Sequence, residues 1–320
     1  FFSSRRRHTK FRNVTGVQTC ALPISEPEVR AQALRVTADR LRGGAFSPAF
    51  LAGLSRFLAD PAPRVRYFAA QSIGKLKRAD DTPALLAALR ANRDEDAVLR
   101  HALVMGLVGA GDRAALAATT TDSSPAARLA AVLALRRLRS PDLARFLNDA
   151  DPAIAREAAI AINDAPVPEA LEALAAMLGR SSDEPVQFRA INAHFRLGTA
   201  ANAEAIAAYA TRTDAPPRAR AEALAQLAQW PKPLQRDRLV GIFRPTTTPT
   251  RDRAVVVAAV ERVAATLLAP GTPATVQAAA LEAMQSLSVA GAADALLAMV
   301  RSEEHTSELQ SRFGISYAVF

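Results

Sequence analysis

Hydrophobic residues recur along this chain at the spacing of an α-helix rather than at the alternate spacing of a β-strand. Val65, Phe68, Ala69, Ile73 and Leu76 lie on one face of a helix, because they follow one another at helical intervals. The same stripe returns in many segments, and the sequence has no runs that alternate between polar and apolar residues. The pattern therefore predicts a chain built of helices.

Turns rich in proline and aspartate separate the predicted helices. Examples are Asp60-Pro-Ala-Pro63, Asp151-Pro152 and Asp214-Ala-Pro-Pro217. Aspartate is favoured just before a helix and proline at its first position, so each of these turns ends one helix and begins the next. The sequence therefore predicts antiparallel helix pairs joined by short connections.

An aspartate, a turn and an arginine recur together about every thirty residues, a period typical of helical-pair solenoids. The arginine follows the aspartate by six residues in most copies and by five in one. The pairs are Asp60 and Arg66, Asp94 and Arg100, Asp122 and Arg128, Asp151 and Arg156, Asp183 and Arg189, and Asp214 and Arg220. Val29-Arg30 and Val276-Gln277 resemble weaker copies. We predict an all-α fold, a right-handed α-solenoid of stacked antiparallel helix pairs.

We expect these aspartates and arginines to have a structural role. An aspartate before a helix can cap its N–H groups, and an arginine on the first turn can reach an aspartate of the neighbouring repeat. Stacked repeats would then carry a ladder of charge-assisted hydrogen bonds that fixes their register. The alternative is that the row of arginines binds an acidic partner. The sequence singles out no partner-binding residue.

The segment from Asp60 to Leu76, Asp-Pro-Ala-Pro-Arg-Val-Arg-Tyr-Phe-Ala-Ala-Gln-Ser-Ile-Gly-Lys-Leu, resembles a HEAT repeat of the short bacterial kind that is also found in phycobilin lyases. Repeats of this type cover most of the central chain. The resemblance implies a solenoid with an extended surface that suits protein binding.

A narrower resemblance concerns four segments, Leu99–Leu107, Ala144–Ile154, Asn192–Gly198 and Trp230–Arg238. They are similar to the HEAT region of large secreted bacterial proteins that also contain a propeller like that of quinone-dependent dehydrogenases and a c-type haem domain. This resemblance implies a spacer between those two domains, neither of which is in this sequence, and a periplasmic or secreted location.

The two ends of the chain differ from the rest. Codons for Val14–Ile24, read as their reverse complement, encode Arg301–Ser311, and both strings resemble adapters used in DNA sequencing. We therefore predict that residues 1–25 and 301–320 are adapter-derived and not native. Residues 26–300 are then a solenoid fragment of a longer bacterial protein, irregular around 231–273.

Composition excludes several classes of protein. The formal net charge is +9 at pH 7, but the densest arginine run and the single cysteine, Cys20, lie in the first 25 residues. The central segment has only a mild positive bias and no thiol, so we expect no nucleic-acid partner, disulfide or thiolate metal site. No apolar run approaches the roughly 20 residues that span a bilayer, so we expect no membrane insertion.

The sequence contains no recognisable catalytic motif. His101 and His194 lie in different repeats, and we expect both to be structural. We therefore predict a scaffold that is not an enzyme, that holds no cofactor or metal, and that binds a protein or adjacent domains of its own chain. A small-molecule ligand is not expected. The alternatives are the redox spacer and, more weakly, a bilin-lyase-like or nucleic-acid-binding solenoid.

Two features of the sequence each allow two interpretations. Trp230 is either an exposed recognition aromatic or a packing residue where the array is interrupted. The segment from Arg236 to Pro273 is either a divergent helical pair with an extended connection or a loop that contacts an adjacent domain.

Overall fold

The computed structural model describes residues 25–40, 48–247, 251–294 and 297, and most of them are helical. The chain divides between Glu157 and Ala158 into two compact units, unit 1 and unit 2. Among the described residues the only β-structure is an isolated antiparallel bridge between Arg236 and Phe243. The predicted all-α class of stacked helix pairs is confirmed.

Unit 1 consists of two layers of helices. Helices α1, α3, α5 and α7 lie side by side in one layer, and α4, α6 and short 3-10 segments pack against them. The helices are α1 (Pro27–Arg40), α2 (Pro48–Leu54), α3 (Pro63–Lys75), α4 (Thr82–Asn92), α5 (Ala97–Ala110), α6 (Arg113–Ala118) and α7 (Pro125–Arg137). The 3-10 segments are Ser55–Ala59, Ala79–Asp81, Thr119–Thr121 and Pro141–Phe146. Helix α8 (Pro152–Asp164) crosses the division between the units.

The helices begin where the local sequence satisfies their first N–H groups. The Asp96 carboxylate accepts hydrogen bonds from the backbone N–H groups of Val98 and Leu99, both at 2.9 Å. Proline occupies the first position of α3 and α7, where its missing N–H removes no helical hydrogen bond. A cap of this kind contributes about 1 kcal/mol to stability.

Helices α3 and α5 touch backbone to backbone. A methyl group added at Gly109 would lie 2.3 Å from the carbonyl oxygen of Gly74, and one added at Gly74 would lie 2.8 Å from that of Met105. Such contacts are far inside van der Waals distance. Glycine at these positions is therefore required by the close approach of the two helices.

Unit 2 repeats the two-layer arrangement. Helices α10, α12 and α14 form one layer, and α9, α11 and α13 pack against them. The helices are α9 (Leu171–Ala175), α10 (Glu184–Leu197), α11 (Ala200–Ala210), α12 (Pro217–Ala228), α13 (Arg253–Leu267) and α14 (Ala274–Ser286), and Pro168–Ala170 is a 3-10 turn. In the part of the chain that the structure describes, every helix is too short or too polar to span a bilayer.

The predicted chain divisions fall partly outside the described residues. Of the segments predicted to be adapter-derived, only Ser25 is described, so their origin stays a prediction. The region predicted to be irregular, residues 231–273, holds a loop between α12 and α13 and then the whole of α13.

Candidate interaction surface

Some of the arginines that recur in the sequence bond the turn that precedes their own helix. Arg66 and Arg128 each stand three residues after the first residue of a helix. The Arg66 guanidinium donates to the backbone carbonyl of Asp60 at 2.9 Å, and that of Arg128 donates to the carbonyl of Asp122 at 2.7 Å. We call the side chain at this position the corner residue. In both cases its bond to the turn that precedes its helix lies within one repeat.

Glutamine takes the corner position in two repeats. Gln187 donates to the carbonyl of Ser181 at 2.8 Å, and Gln277 donates to that of Ala269 at 3.2 Å. Arg220, which is buried, donates to the carbonyl of Ala210 at 2.7 Å, and burial lowers its pKa. The corner bond thus needs a long donor side chain and not a charge.

Two of the predicted pairs are therefore out of phase. Arg189 lies two residues beyond the corner and bonds the carboxylate of Asp164 at 2.8 and 3.2 Å. Asp183 caps α10, accepting the N–H of Val186 at 3.2 Å. The pair Asp151 and Arg156 is also shifted, since Asp149 occupies the turn position and accepts the N–H of Asp151 at 2.9 Å.

The predicted ladder between repeats stays a prediction, and the described bonds join repeats through differing partners. Asp60 is bonded by Arg30 at 3.0 and 3.1 Å, and Asp149 by Arg128 at 2.8 and 3.1 Å, so each of these pairs joins one repeat to the next. Asp122 is instead bonded by Arg90, whose hydrogen bond lowers the pKa of that carboxylate.

The two remaining pairs stay local or separate. Arg100 bonds Asp94 of its own repeat at 2.5 and 2.6 Å. Asp214 is bonded by Arg212 at 3.0 and 2.6 Å, and Arg220 turns into the interior. Neither pair links neighbouring repeats through the bonds described.

The loop between α12 and α13 folds as a small hairpin. Arg244 N–H donates to the carbonyl of Gln235 at 2.7 Å, and Asp237 N–H donates to that of Ile242 at 2.9 Å. Gly241 N–H donates to the carbonyl of Asp237 at 2.8 Å and closes the turn. Side chains alternate along paired strands, so one face of the hairpin points inward and the other outward.

The buried side chain of Asp237 anchors the hairpin. Its side chain is 0% exposed. One carboxylate oxygen accepts the N–H groups of Leu239 and Val240 at 2.9 and 3.1 Å, and the other accepts from the Asn192 amide at 3.0 Å. Arg244 lies 3.5 Å from that second oxygen. The carboxylate therefore joins the turn of the hairpin to helix α10.

Arg244 ties the other strand of the hairpin to the end of α8. Its guanidinium donates to the carbonyls of Asn163 at 2.6 Å and Asp164 at 2.9 Å. These carbonyls lie in the last turn of the helix, where a positive charge is favourable. Arg196 lies 3.6 Å from Asp237, and burial followed by repulsion from Arg244 lowers the pKa of Arg196. The Asp237 carboxylate thus lies close to two guanidinium groups, those of Arg196 and Arg244.

The hairpin exposes large apolar side chains among arginines. Phe243 is 73% exposed, Leu234 53% and Ile242 48%. Arg236, which forms the bridge with Phe243, is exposed, and Arg238 is held at the edge by Glu222 through two bonds of 3.1 Å. We call Leu234, Arg236, Arg238, Ile242 and Phe243 the hairpin patch.

Behind the hairpin, Arg251 lies between two aromatic rings. Its guanidinium carbon is 4.6 Å from the ring centroid of Trp230 and 4.8 Å from that of Phe195. The guanidinium nitrogens are buried and have no hydrogen-bond partner among the described residues. Burial, and then repulsion from Arg196, lowers the pKa of Arg251 to about 10. Trp230 itself is buried, as the packing interpretation predicts.

His101 and His194 lie on different helices, α5 and α10. His101 is exposed on α5. His194 is partly buried and its Nδ1 lies 2.9 Å from the Asn202 amide; burial lowers its pKa. In the described part of the chain, no group of three or more histidine, cysteine, aspartate or glutamate side chains could hold a metal ion.

Solved structures with a similar helical fold include enzymes. Human deoxyhypusine hydroxylase in complex with glycerol is 18% identical, with a TM-score of 0.32, and the match covers 85% of this chain and 95% of that one. The CpcE and CpcF complex of phycocyanin lyase from Nostoc is 20% identical, with a TM-score of 0.34, and the match covers 72% and 92%. An engineered protein is 16% identical, with a TM-score of 0.31, over 90% and 94%.

No curated protein sequence matches this chain. The prediction that the segment is not an enzyme is wrong as an inference from its architecture, because helical folds of this kind occur in a hydroxylase and in a lyase complex. Residues 21–108 and 140–228 match the family model of HEAT repeats. Together these ranges make up more than half of the sequence. The chain therefore belongs to the HEAT-repeat family.

Proposed function

We propose that this chain is a HEAT-repeat scaffold that uses the hairpin patch to bind an acidic, partly apolar segment of a partner protein or of an adjacent domain. HEAT repeats offer extended surfaces, and a loop that stands out from them can provide a specific contact. The proposal concerns recognition of a partner.

One observation carries the proposal. Three of the large exposed apolar residues in the described chain, Leu234, Ile242 and Phe243, lie on one short loop together with Arg236 and Arg238. Exposed apolar groups gathered on a rigid support are typical of interaction sites. Aromatic residues and arginine are also the residue types that contribute most to binding at protein interfaces.

The inward face of the same hairpin supports this role. Asp237 and Arg244 are buried and bonded to helices α10 and α8, so the backbone beneath the patch is already ordered. A preorganised surface loses less conformational entropy when a partner binds. The positive charge of the exposed Arg236 favours a partner that carries carboxylates, which gives the expected chemistry of that partner.

The test is selection of binding peptides from a random library displayed on phage, followed by affinity measurement with the full chain. We expect the enriched peptides to combine net negative charge with an aromatic or aliphatic residue. Phe243→Ala and Arg236→Glu should each weaken the best peptide about tenfold or more. Binding should also weaken as salt is raised, because part of the attraction is between exposed charges.

A matched control is Val98→Ala, since Val98 is an exposed apolar residue of unit 1 at 67% exposure. That variant should bind the selected peptides as the unchanged chain does. Enrichment of basic peptides, or equal binding by Phe243→Ala, would refute the proposal. Competition by a single-stranded oligonucleotide at the patch would favour the nucleic-acid alternative.

The narrower candidates from the sequence stay predictions. The redox-spacer hypothesis names a propeller and a haem domain, and both would lie outside the printed sequence. The bilin-lyase-like hypothesis names a reaction for which the described residues offer no separate argument. Sequencing the parent gene on both sides of residues 26–300 tests the first of these directly.

A further inference from the structure

A cavity of about 210 Å³ lies between the turn that precedes α10 and the turn that precedes α12. Arg180, Ser181 and Ser182 line it from the first turn, and Arg212 and Asp214 line it from the second. None of these residues belongs to the hairpin patch. A ligand in this cavity would therefore be independent of the proposed scaffold function.

Tyr209, in the last turn of α11, is one of the residues that line this cavity, and its hydroxyl is buried. The residue is 3% exposed, and its hydroxyl oxygen has no hydrogen-bond partner among the described residues. A buried polar group is normally bonded, because leaving it without a partner opposes folding. Phenylalanine would fill the same space without this penalty. The hydroxyl therefore points to a molecule that bonds it.

Tyr209 can act as a donor across the neutral pH range. Burial is the main reason that the pKa of its hydroxyl is raised to about 12. The phenol thus keeps its proton and can donate to an acceptor atom in the cavity. A carboxylate or phosphate oxygen is such an acceptor.

Arg212 is held at the cavity by two neighbours. Gly179 has φ of 73°, and a methyl group there would come within 2.4 Å of the Arg212 Nη1 atom, so the absence of a side chain makes room for the guanidinium. Asp214 accepts two hydrogen bonds from Arg212, at 3.0 and 2.6 Å, and orients it. Arg180 adds a second positive charge to the lining. Two guanidinium groups against one carboxylate leave the lining positive.

Gln187 also lines the cavity, and its side-chain amide is held by three hydrogen bonds. Its amide oxygen accepts the N–H of Gly179 at 2.7 Å, and its amide nitrogen donates to Ser181 at 2.8 Å and Met177 at 3.3 Å. The corner bond of this repeat therefore already uses the amide. Tyr209 is the buried side chain of this lining that still lacks a partner in the described structure.

We propose that this cavity binds a small organic anion that places an acceptor oxygen on the Tyr209 hydroxyl and its negative charge beside Arg212 and Arg180. The volume suits a molecule of the size of a dicarboxylic acid rather than a nucleotide. The sequence alone predicts no small-molecule ligand, because Tyr209 and Arg212 become neighbours of Arg180 only when the repeats stack.

The experiment uses the full chain labelled with 3-fluorotyrosine. The sequence has three tyrosines, Tyr67, Tyr209 and Tyr317, so the fluorine spectrum is simple, and the Tyr209 resonance is identified by its loss in Tyr209→Phe. Succinate, inorganic phosphate and neutral succinamide are each titrated to about 10 mM, a range that covers weak ligands. We expect succinate to shift the Tyr209 resonance and leave that of Tyr67 unchanged. Succinamide should shift neither.

Calorimetry with variants completes the test. Tyr209→Phe and Arg212→Gln should each weaken succinate binding about tenfold, the effect of losing one hydrogen bond to a charged ligand. Arg93→Gln, a change at an exposed arginine of unit 1, should leave it unchanged. Arg212 is exposed, so its variant keeps the fold even if Tyr209→Phe does not.

Three outcomes would overturn the proposal. No shift of Tyr209 with either anion would mean that the cavity holds only water. A shift with phosphate alone would exclude the organic anion. Succinate binding that is unchanged in both variants would place the ligand elsewhere on the chain.

Discussion

Arg128 donates two hydrogen bonds to the carboxylate of Asp149, and the two side chains are only 11% and 3% exposed. Removing one partner of a buried pair leaves the other charge desolvated. We therefore expect Arg128→Ala to lower the free energy of unfolding by about 2–3 kcal/mol. Urea unfolding followed by circular dichroism measures this change.

Arg100→Ala is the matched control for that experiment. Arg100 pairs with Asp94 at the surface of its own repeat, and exposed pairs contribute less than about 1 kcal/mol. A similar loss in both variants would contradict the distinction between buried and exposed pairs. An unchanged midpoint for Arg128→Ala would make that arginine a candidate for partner contact.

Replacing Gly109 tests the close contact of α3 and α5. Alanine favours helix by about 1 kcal/mol over glycine, but its methyl group would lie 2.3 Å from the Gly74 carbonyl oxygen. Because the helices must then move apart, we expect Gly109→Ala to lower the free energy of unfolding by about 2 kcal/mol. A raised midpoint in urea would show that the two helices separate without loss.

Arg251 offers a test of a buried charge. Its guanidinium lacks a hydrogen-bond partner in the described structure and is stabilised by the Trp230 and Phe195 rings. Methionine fills similar space without the desolvation penalty, so we expect Arg251→Met to raise the free energy of unfolding by about 1 kcal/mol. Arg251→Ala should lower it by about 2 kcal/mol, since it leaves a cavity between the rings. Equal losses in both variants would show that the charge itself is required.

His194 should make stability depend on pH in mild acid. Burial lowers its pKa below the ordinary value of 6.5. At a pH between the lowered pKa of the folded chain and 6.5, the unfolded chain binds a proton that the folded chain does not. The contribution of His194 to stability is therefore full above pH 6.5 and falls as the pH falls towards the lowered pKa. We expect the difference in unfolding free energy between His194→Gln and the unchanged chain to vary from about pH 7 to pH 5. A constant difference across this range would contradict the prediction.

Deleting residues 1–24 and 301–320 tests their predicted non-native origin. Ser25 is kept because its carbonyl accepts a hydrogen bond from Arg30 at 2.8 Å. Segments that were not selected to pack contribute little to stability, so we expect the urea midpoint and the helical signal to be unchanged. A loss of about 2 kcal/mol or more would show that the ends pack on the solenoid.

The helices and their repetition follow from sequence because each depends on local features. The apolar stripe that includes Val65, Ala69 and Ile73 predicts α3, and all three of these residues are buried. The turn at Asp60 predicts where that helix begins. These features need only the order of residues within one repeat.

The phase of the corner position could not be read from charge alone. A search for arginine chooses Arg189, whereas the bond to the turn is made by Gln187. An amide and a guanidinium can donate to the same carbonyl, so the position is defined by length and geometry. Spacing from the first residue of the helix would have found it.

The contacts that hold the hairpin could not be predicted from the sequence either. Asp237 contacts Asn192, which lies 45 residues earlier, and Arg244 contacts Asn163, which lies 81 residues earlier. Contacts over such separations depend on how the repeats stack. Nothing in the loop sequence distinguishes Asp237 from the other acidic residues of the chain.

The corner bonds have a consequence for how such a chain changes its length during evolution. Each joins a side chain to a carbonyl of the turn that leads into its own helix, as in Arg66 with Asp60 and Gln187 with Ser181. Duplication or loss of one whole helix pair therefore keeps every corner closed. Only the bonds that join one repeat to the next, such as that between Arg30 and Asp60, then need new partners. Genes of this kind can therefore grow or shrink by one repeat at a time.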